Sequence, residues 1–109
     1  MSAMIERHHY FRLTKEYATP EGRADTADRT LAALSPLPGV RGISVGLPAD
    51  EHAEAAWDLA VTLRFDGLDD VEAYRADPAH RAFVDEVLGP RIAVKKIWNF
   101  TVTDGPATD

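Results

Sequence analysis

The stretch Trp57-Asp58-Leu59-Ala60-Val61-Thr62-Leu63-Arg64-Phe65 decides the fold, together with the run after Asp66-Gly67: Leu68-Asp69-Asp70-Val71-Glu72-Ala73-Tyr74-Arg75-Ala76-Asp77-Pro78-Ala79-His80. Trp57, Leu59, Val61, Leu63 and Phe65 alternate with Asp58, Ala60, Thr62 and Arg64. That is the period of a strand with one buried face, and so large an apolar face needs a helical cover. After Gly67, the spacing of Leu68, Val71 and Tyr74 predicts a short helix over 68–76 with Tyr74 turned inward. Pro78 has a fixed φ and no N–H, which suits the first position of a helix. Asp77 before it can accept from the free amides of the first turn. A second helix is therefore expected over 78–88, with His80, Phe83, Val84, Val87 and Leu88 on its inner side. Tyr74 closes one helix and His80 opens the next, so the two side chains approach one cavity.

Towards the N-terminus, a first strand is expected over 5–14. Ile5, Arg7, His9, Phe11 and Leu13 share its inner face, and Glu6, His8, Tyr10, Arg12 and Thr14 the other. Thr19-Pro20 repeats the cap-plus-proline signal and opens a helix with an apolar stripe of Ala24, Ala27, Leu31 and Leu34. Ser35-Pro36-Leu37-Pro38-Gly39 ends it. A second strand is expected over 40–47, with Ile43, Val45 and Leu47 on one face and Gly42, Ser44 and Gly46 on the other. Residues 48–55 read as a polar, mobile connection. Past Gly89-Pro90, a fourth strand is expected over 93–103, leaving 104–109 as a loose tail after a single domain over 1–103.

The order β-α-β-β-α-β is the ferredoxin-like α+β plan, a four-stranded antiparallel sheet with helices on one face. The open face is expected to carry Tyr10, Gly42, Ser44, Ala60, Thr62, Ile97 and Thr101, with Trp57 and Trp98 in the core. A homodimer formed sheet to sheet through the open face is expected.

Composition bounds the function. The chain has 109 residues, no cysteine and a net charge of −6, from 18 acidic and 12 basic residues. Thiol chemistry and disulfides are excluded, and a basic nucleic-acid interface is not expected. No stretch has the length of a membrane span and the first residues lack a signal-peptide core, so a cytoplasmic protein with no membrane partner is expected. His8 and His9 are adjacent on a strand and point to opposite faces, which argues against a metal site. Gly39, Gly42 and Gly46 fall along a strand and do not make a phosphate loop.

The sequence resembles the stress-responsive α/β-barrel (Dabb) domain family over residues 4–103. The resemblance rests on Arg7-His8-His9-Tyr10-Phe11-Arg12-Leu13, on Leu37-Pro38-Gly39-Val40, on Trp57-Asp58-Leu59-Ala60-Val61, and most specifically on the run from Phe65 to His80 with its Tyr74…Pro78-Ala79-His80 ending. It implies a dimeric α+β barrel. The family includes plant stress-induced proteins and a plant polyketide cyclase that closes an aldol without cofactors. The catalytic tyrosine and histidine of that cyclase match Tyr74 and His80. Its first-strand cavity histidine aligns with Arg7, His8 or His9, of which face parity favours His9. The cyclase also has a cavity tyrosine in its first helix, where this chain has no aromatic residue.

An imidazole with pKa near ~6.5 can remove an acidified C–H proton at neutral pH. A phenol with pKa near ~10 stays protonated and can donate to the developing enolate. The first reading is a cofactor-independent domain that binds a small hydrophobic carbonyl compound and carries out aldol cyclisation or isomerisation. His80 and Tyr74 are its catalytic residues, and His9, Phe11, Trp57, Leu59, Phe83 and Val84 contact the substrate. The alternatives are a non-enzymatic dimeric stress or binding protein, in which the same residues only pack, and a cofactor-free monooxygenase.

Overall fold

A computed structural model describes residues 4–106, so the first three positions of the expected domain and the last three of the expected tail lie outside the described residues. The elements are β1 (Ile5–Leu13), α1 (Pro20–Leu34), β2 (Gly42–Gly46), α2 (Glu51–Ala56), β3 (Leu59–Phe65), α3 (Leu68–Ala76), α4 (Pro78–Phe83) and β4 (Ile92–Thr101). The sheet has four strands in the order β2-β3-β1-β4, and every neighbouring pair is antiparallel. Alternation on the two central strands does what the sequence requires. Ile5, His9, Phe11 and Leu13 of β1 are buried together with Leu59, Val61, Leu63 and Phe65 of β3. Ala27 and Leu34 of α1, Val71 and Tyr74 of α3, and Phe83 of α4 complete this core.

Several expectations need correction. In α1 the buried residues are Thr26, Ala27, Thr30 and Leu34, while Ala24 is exposed. The stripe is rotated because the two threonines hide their polarity. Thr26 Oγ1 donates to the Gly22 carbonyl and Thr30 Oγ1 to the Thr26 carbonyl, each at 2.7 Å, so only their methyl surface meets the core. Gly22 is required by close approach: a Cβ there would sit 2.3 Å from the Tyr17 carbonyl oxygen.

The connection after β2 is not irregular throughout. Asp50 caps α2 by accepting from the Ala53 amide at 2.8 Å. This helix buries no residue, so it has no apolar stripe by which to be recognised. It also shortens the following strand. Trp57 ends α2 in extended geometry, and its ring lies 5.8 Å from Tyr10, beside the open face and away from the core it was expected to join. Asp58 and Leu59 are both buried, so strict alternation stops there.

The second helical unit is broken as well. α4 ends at Phe83 and passes into a π-helical turn (Val84–Leu88) and a 3₁₀ turn (Gly89–Arg91). The Gly89 amide donates to the Val84 carbonyl, the wide i→i+5 bond of a π turn.

The faces of β4 are the reverse of those expected. Pairing with β1 sets Lys95 opposite Phe11, Ile97 opposite His9, Asn99 opposite Arg7 and Thr101 opposite Ile5, all on the helix side. Lys96, Trp98 and Phe100 pair with Tyr10, His8 and Glu6 and occupy the open face. β4 is an edge strand with apolar residues on both faces, so hydrophobicity alone cannot choose between them. Trp98, at 49% exposure, and Phe100, at 51%, are therefore surface aromatics rather than core ones.

Candidate active site

The helices and the sheet do not close completely between α3, α4 and the β1–β4 pair. A cavity of about 540 Å³ remains, and Tyr74, His80, His9, Phe11, Val84 and Arg7 all line it. That volume lies within the usual range for small-molecule sites.

Local chain chemistry builds the centre of the site. Asp77 adopts extended geometry between α3 and α4, and its carboxylate accepts from the Ala79 amide at 2.8 Å. The turn it fixes swings α4 back over the end of α3, so that the Tyr74 and His80 rings lie 4.3 Å apart, centroid to centroid, at 49°. Phe65 packs on the Tyr74 ring at 5.1 Å. The pair is thus held by a core aromatic on one side and opens to the cavity on the other.

The electrostatics suit proton transfer. Burial pushes the Tyr74 phenol up to about 12, against the opposing charge of Arg7. Burial also holds the His80 imidazole below its ordinary 6.5, and the charge of Arg7 adds to the effect. His80 is therefore neutral at pH 7 and Tyr74 is protonated. The Arg75 backbone beside the His80 ring partly offsets these effects, and His80 Nδ1 is buried without a well-formed hydrogen bond among the described residues.

His9 faces the same cavity from β1. Its Nδ1 lies 3.1 Å from the Val61 carbonyl; a carbonyl only accepts, so that nitrogen carries the proton and Nε2 is left as an acceptor. Burial drives the His9 pKa down to about 4. Between that value and 6.5 the unfolded chain binds more protons than the folded one. The stability present above pH 6.5 is lost as pH falls towards 4, by about 3 kcal/mol from this group. Urea unfolding followed between pH ~7.5 and ~4 should show this loss in the wild type and a shallower loss in His9→Gln. Parallel curves for the two proteins would remove His9 as its source.

The other candidates separate clearly. His8 points to the open face, 2.8 Å from Glu6 Oε1 and edge-on to Phe100 at 5.2 Å. Trp57, Leu59 and Phe83 do not line the cavity. Trp57 and Leu59 border a smaller cleft near Tyr10 and Leu47, and Phe83 is spent on the core. Among the described residues, no three His, Asp or Glu side chains converge as a metal site would need.

Arg7 joins the site without having been expected among its contacts, although its strand face already pointed there. The guanidinium donates from Nη1 to Asn99 Oδ1 at 3.0 Å, and its buried Nε has no partner. Tyr74 and His80 both feel its charge. Of the three residues that align with the family's first-strand histidine, Arg7 and His9 face the cavity and His8 does not.

An antiparallel β2-β3-β1-β4 sheet with helices packed on one face and a cavity between the layers defines a ferredoxin-like α+β domain. The chain belongs to the stress responsive A/B barrel domain (Dabb) family, whose sequence model matches residues 6–102. Solved structures share the fold. A Dabb family protein with a ferredoxin-like fold from Mesorhizobium loti is 18% identical with a TM-score of 0.77, over 94% of this chain and 99% of that one. A dimeric ferredoxin-like protein of unknown function from Thermobifida fusca is 24% identical with a TM-score of 0.76, over 94% and 93%. The hydroxynitrile lyase from Passiflora edulis is 13% identical with a TM-score of 0.76, over 98% and 100%. A comparison with curated protein sequences finds no match. No helix among the described residues is long and apolar enough to cross a membrane.

Proposed function

We propose that this Dabb domain binds a small hydrophobic carbonyl compound in the cavity and moves a proton on it without a cofactor, in an aldol cyclisation or an isomerisation. The observation that carries the reading is the Tyr74–His80 pair, with rings 4.3 Å apart and both residues lining the cavity. A neutral imidazole with a free nitrogen can take a proton from the carbon next to a carbonyl. The electron pair left behind moves onto the carbonyl oxygen, which then accepts a hydrogen bond from the Tyr74 hydroxyl. The enolate either attacks a second carbonyl of the same molecule, forming a C–C bond, or is reprotonated elsewhere. Apolar walls from Phe11, Val61, Val84 and Ile97 match the hydrocarbon part of such a substrate.

Deuterium uptake at the α-carbon of a hydrophobic methyl ketone in D₂O, followed by NMR, tests this directly. The wild-type protein should accelerate uptake over buffer, and Tyr74→Phe should lower that acceleration by roughly 10²–10³-fold, in keeping with the loss of one oxyanion donor. Ligand-induced shifts at His80 with uptake no faster than in buffer would replace the enzyme by a non-enzymatic binding protein.

The reading includes a homodimer joined through the open sheet face. Val94, Trp98 and Phe100 stand 47–51% exposed there, on one surface of β4, and exposed apolar surface of this kind marks an association site. The similar protein from Thermobifida fusca is described as dimeric. Sedimentation at micromolar concentration should show a species of twice the 12.0 kDa chain mass, and Trp98→Asp should shift it towards monomer. A wild-type monomer would remove the dimer. A cytoplasmic location is part of the same proposal, to be checked by fractionation.

A further inference from the structure

Arg7 carries a charge with no carboxylate partner among the described residues. Two other arginines of this chain show what an Arg side-on fork does when a carboxylate is near. Arg23 donates to Asp58 Oδ1 from Nε at 3.0 Å and from Nη2 at 2.8 Å. Arg64 grips Glu6 Oε2 from the same two nitrogens, at 2.8 Å and 2.7 Å. Arg7 is engaged differently. Among the described residues, only Nη1, on the other side of the guanidinium, has a partner, and that partner is the neutral Asn99 amide. Its Nε is buried and unpartnered. Glu72, which also lines the cavity, is drawn away to Arg75 at 3.2 Å. The fork of Arg7 is thus half-buried, charged and without a carboxylate partner among the described residues.

The setting favours an anion. Although the chain carries a net charge of −6, the cavity is lined by the cations Arg7, Arg75, Arg81 and Lys95 against the carboxylates Glu72 and Asp85. A guanidinium fork matches the two oxygens of a carboxylate, and such bidentate contacts are among the strongest hydrogen bonds a protein makes. The apolar wall of Phe11, Val61 and Ile97 continues from it.

We propose that the ligand of this cavity is a hydrophobic keto acid, anchored by its carboxylate on the Nε–Nη2 fork of Arg7 while its ketone meets Tyr74 and His80. This rests on the reading of the cavity as a carbonyl-compound site. Arg7 is a binding and positioning residue, which sets which carbonyl of the substrate faces the base.

The probes are 5-oxodecanoate and its methyl ester, titrated into the protein while the His80 and His9 ring resonances are followed by NMR. The wild type should bind the acid at least about tenfold more tightly than the ester, a difference of about 1.4 kcal/mol. Arg7→Met should abolish that preference and leave ester affinity within a few-fold. Arg7→Lys, which keeps the charge without the fork, should retain only part of it. Melting curves establish that both variants fold. Equal affinity of the wild type for acid and ester, or an undiminished preference in Arg7→Met, would overturn the carboxylate assignment and leave the proposed function standing. If neither probe perturbs His80, both fall together.

Discussion

Asp58→Ala should lower the stability of this domain by about 3–5 kcal/mol, the usual cost of removing one partner from a buried ion pair. Asp58 is 2% exposed and joins three parts of the fold. Oδ1 accepts both contacts from Arg23 of α1, and Oδ2 accepts from the Leu13 amide at the end of β1 at 2.8 Å. The Asp58 amide in turn donates to the Phe11 carbonyl at 2.8 Å, which starts the pairing of β3. Alanine would leave the Arg23 side chain, only 13% exposed, as an uncompensated charge. It would also leave the Leu13 N–H unsatisfied. Glu54 is 3.8 Å from Arg23 but 59% exposed, too solvated to take over. Asp58→Asn keeps an acceptor for Leu13 and should lose less. Arg23→Met combined with Asp58→Ala should recover part of the loss, because no charge is then stranded. Urea unfolding of the wild type, Asp58→Ala, Arg23→Met and the double variant closes the cycle. A loss below about 1 kcal/mol in Asp58→Ala would mean that water reaches the pair and screens it.

Asp58 also shows where the sequence stopped being legible. Read as an alternating polar position of a strand, it belonged on the open face. Its true place depends on Arg23, 35 positions away, and no local rule contains that distance. The parts that were readable have local causes. Asp77-Pro78 ends one helix and starts another through cap chemistry alone, so the Tyr74–His80 junction was legible to the residue. β1 and β3 were readable because they are the two central strands, each with one face buried, and period-two alternation records that burial directly. β4 is an edge strand with apolar residues on both faces, so Ile97 and Trp98 were placed on the wrong sides. Thr26 and Thr30 looked polar because their internal hydrogen bonds are invisible in a residue list. Within the site, His9, Phe11, Tyr74, His80 and Val84 do meet at one cavity. Trp57, Leu59 and Phe83 were assigned by face alone, and a face says nothing about where along it the helices leave a gap. Arg7 had the right face, but its unused fork emerges only once Asn99 and Glu72 are in place.

His80→Ala should abolish nearly all acceleration of α-proton exchange, by roughly 10²–10⁴-fold, the range for a positioned general base. Binding of the ketone should change by only a few-fold, since the apolar walls remain. The pH dependence identifies the group. The His80 pKa is held below 6.5 and the neutral ring is the base, so the rate should climb as pH rises through that lowered value and be level by pH ~7. Tyr74 must keep its proton to donate, and burial has pushed it up to about 12, so no descending limb should appear near the ordinary ~10 of a free tyrosine. The profile is therefore a single step followed by a plateau. His80→Ala should lose the step, and added imidazole should restore part of the rate by occupying the vacated space. His80 is only partly buried, so the variant should fold, which its melting curve will show. A folded His80→Ala protein with an unchanged rate and profile would leave His9 Nε2 as the remaining base on this wall. A fall in rate near pH ~10 would show that Tyr74 is wetter than the fold makes it.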